Sequence, residues 1–252
     1  MIGLDAIVII LHGECYHLII TTGIADIITA IYLIVSSNFI KKIHRPKIHI
    51  IIELISCSKD ILINDALGKV ATITFNICAS FLGTEYYALH SVGYSIATSM
   101  EAITDKCCTY QIVKLKTINN IKAKYKTYKD TFTKTFIPAT IVCYLSAIVM
   151  VFPMKGVIGF KEALIVTLMY NSQSIFIQPY ENIRGFLISC EDTKSLRFGG
   201  LIGILVRVPI SLISIFTPIG IYGFAFGVSI DFMARFIYWK YKANNIVRIN
   251  AS

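Results

Sequence analysis

Residues 200–216 read GLIGILVRVPISLISIF, residues 217–220 read TPIG, and residues 221–239 read IYGFAFGVSIDFMARFIYW. Two nearly continuous apolar runs, 17 and 19 residues long, are thus joined by a four-residue turn built on Pro218 and Gly220. About 20 apolar residues in a helix cross the roughly 30 Å of a bilayer's hydrocarbon, and Pro and Gly punctuate the chain between such runs. The 40 residues hold three charges, Arg207, Asp231 and Arg235. This reading, a helical hairpin through a membrane, decides the fold class. The rest of the chain has the same character: of 252 residues 55% are hydrophobic and 15% charged, with a mean hydropathy of +0.67. Soluble domains run at roughly 45–50% apolar and about 25% charged. The composition therefore excludes an ordinary globular enzyme, a disordered chain and a disulfide-stapled module.

Further spans are expected over 17–39, 61–81, 86–113, 132–152 and 163–190. With the hairpin they make an all-α, polytopic membrane helix bundle of about seven transmembrane helices. A short amphipathic stretch over 47–56 is expected along the interface. The Lys-rich stretch 114–129 is expected as a polar loop. Pro138 falls in the fourth span and Pro179 in the fifth, which is the expected broken helix because Pro frees a carbonyl.

The 24 Lys and Arg explain the net charge of +9. Seventeen of them cluster between alternate spans, around 41–59, 114–134, 194–197 and 240–248. With seven spans and a cytoplasmic C-terminus, every basic cluster falls on one side, as the positive-inside rule requires. The expected location is therefore the plasma or inner membrane, with the basic loops cytoplasmic. No aromatic-interleaved basic surface accompanies the charge, so no nucleic-acid partner is expected. Seven cysteines, mostly inside apolar runs and with no CxxC pair, read as small hydrophobes. His12, Glu14, Cys15 and His17 bring four metal-capable groups together at a spacing that fits no standard site, so no metal is expected. The N-terminus lacks the basic region and cleavage site of a signal peptide.

Ionisable residues inside spans are functional candidates by default. The sharpest are Asp65 with Lys69 and Glu181 with Arg184, each spaced to share one helix face and neutralise its partner. Gln173 and Gln178 add a polar stripe to the broken fifth helix, which suits a cavity wall or helix–helix hydrogen bonding. Glu101, Asp105 and Asp231 are secondary candidates: the first two for a two-carboxylate cation site or a helix end, Asp231 as a partner of Arg235. Arg207 has no partner on its own helix. No Ser/His/Asp grouping, phosphate loop or metal signature is present, so no enzyme and no cofactor is expected.

Several stretches resemble one family. Leu82-Gly83-Thr84 with Ala88 and His90 resembles the "LGT..lAaHq" opening of the eighth helix of multidrug and toxic compound extrusion (MATE) transporters. LISCEDTK at 187–194 resembles that family's "LrGaGDTr" at the inner end of its tenth helix. Residues 219–239 resemble its last turn and twelfth helix, and residues 4–41 the end of its fifth helix and its sixth. The likeness covers nearly the whole chain in order. It implies residues 1–46 as the end of a first lobe and 47–252 as a second lobe of six helices. It further implies efflux of small organic, cationic compounds in exchange for H⁺ or Na⁺, with the bilayer as surroundings. Either a missing N-terminal lobe or a second copy would close the central cavity. Ile188, Ser189 and Glu191 depart from the "LrGaGDTr" pattern, and Gly68 and Ile177 stand where the family has acids. Two alternatives follow: a related flippase for lipid-linked saccharides, with a more cationic cavity, or a truncated half that transports nothing.

Overall fold

A computed structural model describes residues 24, 27, 28, 31, 32, 35, 48–152 and 159–249. The chain divides into two compact units, Met1–Ser56 and Cys57–Ser252. The expected first span, 17–39, lies almost wholly outside the described residues; the six described between 24 and 35 are helical and exposed. Among the described residues there is no strand. Seven helices follow in order: α1 (Ile48–Ser80), α2 (Thr84–Lys116), α3 (Ile121–Val151), α4 (Phe160–Asn171), α5 (Ser174–Ser189), α6 (Thr193–Phe216) and α7 (Gly220–Ile249).

Four of these are long and apolar enough to cross a membrane: Ser58–Ser80 of α1, then α3, α6 and α7. Helix α2 has the length but carries Glu85, Glu101, Asp105 and Lys106 along it. Helices α4 and α5, 12 and 16 residues long, are each shorter than a span. The protein is thus a helical bundle with a membrane protein's apolar helices.

The turns follow local chemistry. Helix α1 ends at Phe81-Leu82-Gly83, where Gly83 takes φ 97°, a left-handed conformation that suits a residue without Cβ. Asn120 caps α3 by accepting from the Ala123 N–H, and Asp192 caps α6 by accepting from Ser195 N–H. Helices α6 and α7 then pack at close range. Gly199 and Gly203, one turn apart on α6, face Trp239 and Arg235, one turn apart on α7; a Cβ on either glycine would overlap its partner. Small residues at such a seam let two membrane helices approach closely. The indole N–H of Trp239 donates to the Ser195 carbonyl (2.9 Å) and its ring stacks on Tyr180 (4.6 Å). Towards the far end, Phe75, His90, Tyr94, Tyr170 and Phe224 form an aromatic core joining α1, α2, α4 and α7.

Three expectations are corrected. The amphipathic stretch 47–56 is not a separate element, because α1 runs unbroken from Ile48. The Lys-rich stretch 114–129 is not a long loop: α2 continues to Lys116, only 117–120 is irregular, and Lys122 to Lys129 lie on α3. Lysine is a good helix former. Tyr125 and Tyr128 anchor this turn on Phe186 at 5.4 and 5.6 Å, while Lys124 Nζ donates to the Ser189 carbonyl. The broken helix is present, but the break is not at Pro179. It lies at Ser172-Gln173, and Pro179 sits inside α5. Polar side chains there compete for the backbone: Ser172 Oγ donates to the Met169 carbonyl at 2.6 Å.

Candidate functional site

Helical periodicity turns one polar face of α1 inward: Asn64, Asp65, Gly68, Lys69 and Thr72. Tyr94 and Glu101 on α2, two turns apart, face it, as do Tyr180 and Arg184 on α5. Arg207 of α6 and Phe232 and Arg235 of α7 complete the wall of a cavity of about 330 Å³. Six of these residues carry acidic or basic side chains and come from five helices.

Asp231 organises the far wall. It is fully buried, and its carboxylate receives Arg235 at 2.5 and 2.8 Å and Arg207 at 2.6 Å. The partner that Arg207 lacks on its own helix is therefore Asp231 of α7. Both guanidiniums approach the Phe232 ring, Arg207 at 5.6 Å and Arg235 at 5.8 Å. Arg207 Nη1 also donates to Thr72 Oγ1. A buried charge needs such pairing, since an unpaired one loses several kcal/mol of solvation.

The near wall is looser. Arg184 bridges Glu181 on its own helix (3.3 Å) and Asp65 on α1 (3.2 Å). The expected Asp65–Lys69 pair does not form, because Asp65 turns to Arg184, whose planar fork can serve two carboxylates. Lys69 lines the cavity without an ion pair among the described residues. The Glu101 carboxylate likewise has no ion pair there: the hydrogen bond it accepts is from Gln173 Nε2 at 3.1 Å. Gln173 is almost fully buried and stands at the N-cap position of α5, at the break between α4 and α5.

Of the expected candidates, Asp65, Lys69, Arg184 and Glu101 line the cavity, while Glu181, Asp231 and Gln173 stand directly behind it on lining residues. Gln178 is turned away, donating to Thr135 Oγ1 of α3. Asp105 is exposed and outside the wall, so Glu101 and Asp105 do not line one pocket. His12, Glu14, Cys15 and His17 lie outside the described residues, among which no His/Cys/Asp/Glu group is arranged to hold a metal. Sequence reasoning missed Tyr94, Tyr180 and Phe232 as lining residues, and Arg207 and Arg235 as a shared clamp. The one signal was arithmetic: Asp231 with Arg235 is neutral, leaving Arg207 in an apolar run in need of an acid.

His90 is not part of this cavity. With Nε2–H donating to Asn76 Oδ1 (3.0 Å), its Nδ1 accepts from the Tyr170 hydroxyl (2.6 Å), and Phe75, Tyr94 and Phe224 crowd its ring. It is a packed polar residue that pins the end of α4 beside the break.

No family model, curated protein or solved structure matches the chain.

Proposed function

We propose that the chain is one lobe of a MATE-like secondary transporter that exchanges small organic cations for H⁺ or Na⁺. In this reading the chain crosses the plasma or inner membrane seven times, with residues 17–39, α2 and the α4–α5 pair as spans alongside the four apolar ones. The observation that carries it is Glu101, a carboxylate on a cavity wall inside the bundle, without an ion pair among the described residues and tied to a broken helix. Discontinuous helices at mid-membrane are where such transporters bind ions and substrate. A cation or proton on Glu101 cancels the charge that Gln173 donates to and weakens that bond, since hydrogen bonds to ionised acceptors are about twice as strong as neutral ones. The α4–α5 junction is then freed to bend differently. Substrate and coupling ion compete for one carboxylate, which couples their movements. Tyr94, Tyr180 and Phe232 supply rings for a quaternary ammonium or similar group.

A second reading, a flippase for lipid-linked saccharides, is favoured by one observation: the wall has four cations, Lys69, Arg184, Arg207 and Arg235, against two carboxylates. A diphosphate would meet Lys69 first, since Arg207 and Arg235 are committed to Asp231. A third reading, a half that transports nothing, retains the cavity but releases no proton on binding.

Binding separates these readings without needing transport. Purified chain in nanodiscs is titrated with tetraphenylphosphonium while a pH dye follows proton release. The first reading expects about one proton, or in sodium buffer about one Na⁺, released per cation bound, and loss of that release in Glu101→Gln. Binding without release, indifferent to Glu101→Gln, would sink it. A polyprenyl diphosphate binding more tightly than the phosphonium, and weakened by Lys69→Gln, would favour the flippase.

A further inference from the structure

A second cavity, of about 430 Å³, lies away from the first, between the start of α6 and the end of α7. Because α6 and α7 form a hairpin, these two ends lie together, and the bond from Trp239 to the Ser195 carbonyl fixes them there. Lys194 stands on the α6 side and Lys242 on the α7 side. Asp192, the acid on this wall, is turned to its own helix: its two oxygens accept from the N–H and the hydroxyl of Ser195, at 3.3 and 2.6 Å. Lys194 and Lys242 have no ion pair among the described residues; Lys242 lies 5.7 Å above the Tyr238 ring. Two other basic groups at this end are engaged, Lys124 with the Ser189 carbonyl and Arg197 with Asp60. Asn245 adds an amide donor. The remaining wall is apolar and partly open, with Phe198 48% and Ile249 73% exposed.

Two lysines and an amide at one edge, with exposed phenyl and aliphatic groups at the other, make an amphipathic receptor. Its position matches its character, since α6 and α7 are both membrane-crossing by length and composition and the pocket sits where they emerge. The geometry points to a binding site for the phosphodiester headgroup of an anionic phospholipid from the leaflet on the basic side of the bundle. The lysines and Asn245 take the phosphate, and Phe198, Ile246 and Ile249 take the first methylenes of the acyl chains. A free anion has no use for that apolar wall, which is why a lipid is the occupant. Basic pockets between membrane helices at this depth are suited to such headgroups, and each lysine near an anionic surface contributes about fivefold in affinity.

Trp239, the chain's one tryptophan, reports on the pocket, because Ser195 links it to the wall. The full chain in a zwitterionic detergent is titrated with dioctanoyl phosphatidylglycerol, dioctanoyl phosphatidylcholine or sodium phosphate while Trp239 emission is followed. The expected result is saturable change with phosphatidylglycerol, at least tenfold weaker with phosphatidylcholine, and none with phosphate at equal concentration. Lys194→Gln and Lys242→Gln each weaken phosphatidylglycerol binding about fivefold and together about 25-fold. Lys116→Gln, an exposed lysine at the same end of α2, leaves it unchanged. Saturation by phosphate alone would replace the lipid with a free anion and overturn the proposal. Equal binding of the two lipids, or equal weakening by Lys116→Gln, would overturn it as well. Both lysines are at the surface of the pocket, and an unchanged circular dichroism spectrum in the single variants keeps the comparison about binding.

Discussion

The Asp231 carboxylate holds two guanidiniums from two helices, and both Arg207 and Arg235 are 4% exposed. Asp231→Asn leaves two buried cations with a neutral partner. Breaking a buried ion cluster by removing one member costs about 3–5 kcal/mol, so the variant should denature at a markedly lower detergent or temperature midpoint. Replacing all three charges with apolar residues of similar size should recover most of that loss. If Asp231→Asn unfolds like the wild type, Arg207 and Arg235 have another anion and the clamp described here is wrong. Glycine offers a matched contrast. At Gly203 a side chain meets the Arg235 guanidinium, so Gly203→Val should cost about 1–3 kcal/mol by forcing Arg235 off Asp231. At Gly68 a Cβ has nothing within 4 Å, so Gly68→Ala should stabilise α1 by about 0.5–1 kcal/mol through helix propensity. Equal effects at the two sites in thermal unfolding would remove the basis for the contrast.

At the scale of elements, the break between α4 and α5 decides between two positions. Pro179 was the sequence's own marker, because proline lacks an N–H and crowds the carbonyl four residues back. The structure keeps Pro179 in α5 and interrupts the helix at Ser172-Gln173, where Gln173 reaches Glu101 and Ser172 meets Ser229 across α7. Gln173→Leu should therefore weaken phosphonium binding by about tenfold, the worth of one hydrogen bond to a charged group, and Pro179→Ala should leave it unchanged. The reverse order would return the break to Pro179. Why one break was legible and its position was not has a physical reason. Proline acts through its own backbone, which sequence displays. Gln173 acts through a carboxylate 72 positions earlier, which sequence does not. The same holds for 114–129: lysines mark polarity, but their helix depends on Tyr125 and Tyr128 finding Phe186.

Across the whole molecule, what sequence made plain was the membrane-helix class and the alternation of basic ends, since both are set by apolar length and charge along the chain. The cavity was half legible. Asp65, Lys69, Glu101 and Arg184 stood out as charges in apolar runs, whereas the arginine clamp needs three dimensions. The alternation can be tested directly. Contacts bring the start of α3 to the end of α5 (Lys124 to Ser189), the start of α6 to the early turns of α1 (Thr193 to Asp60), and the end of α7 to α3 (Asn244 to Tyr125). At the opposite end Leu82 and Tyr86 share a pocket with 217–222. Among the described residues, most of the basic side chains outside the cavity lie at the first end, and the second end has Lys161. Positive ends stay on the cytoplasmic side. In a background with the seven native cysteines replaced, a membrane-impermeant maleimide added to intact cells should label Ile219→Cys and spare Thr117→Cys, both positions being exposed. Permeabilised cells should label both. Labelling of Thr117→Cys in intact cells, with Ile219→Cys protected, would invert the bundle and move the lysine-lined pocket of α6 and α7 to the outer leaflet.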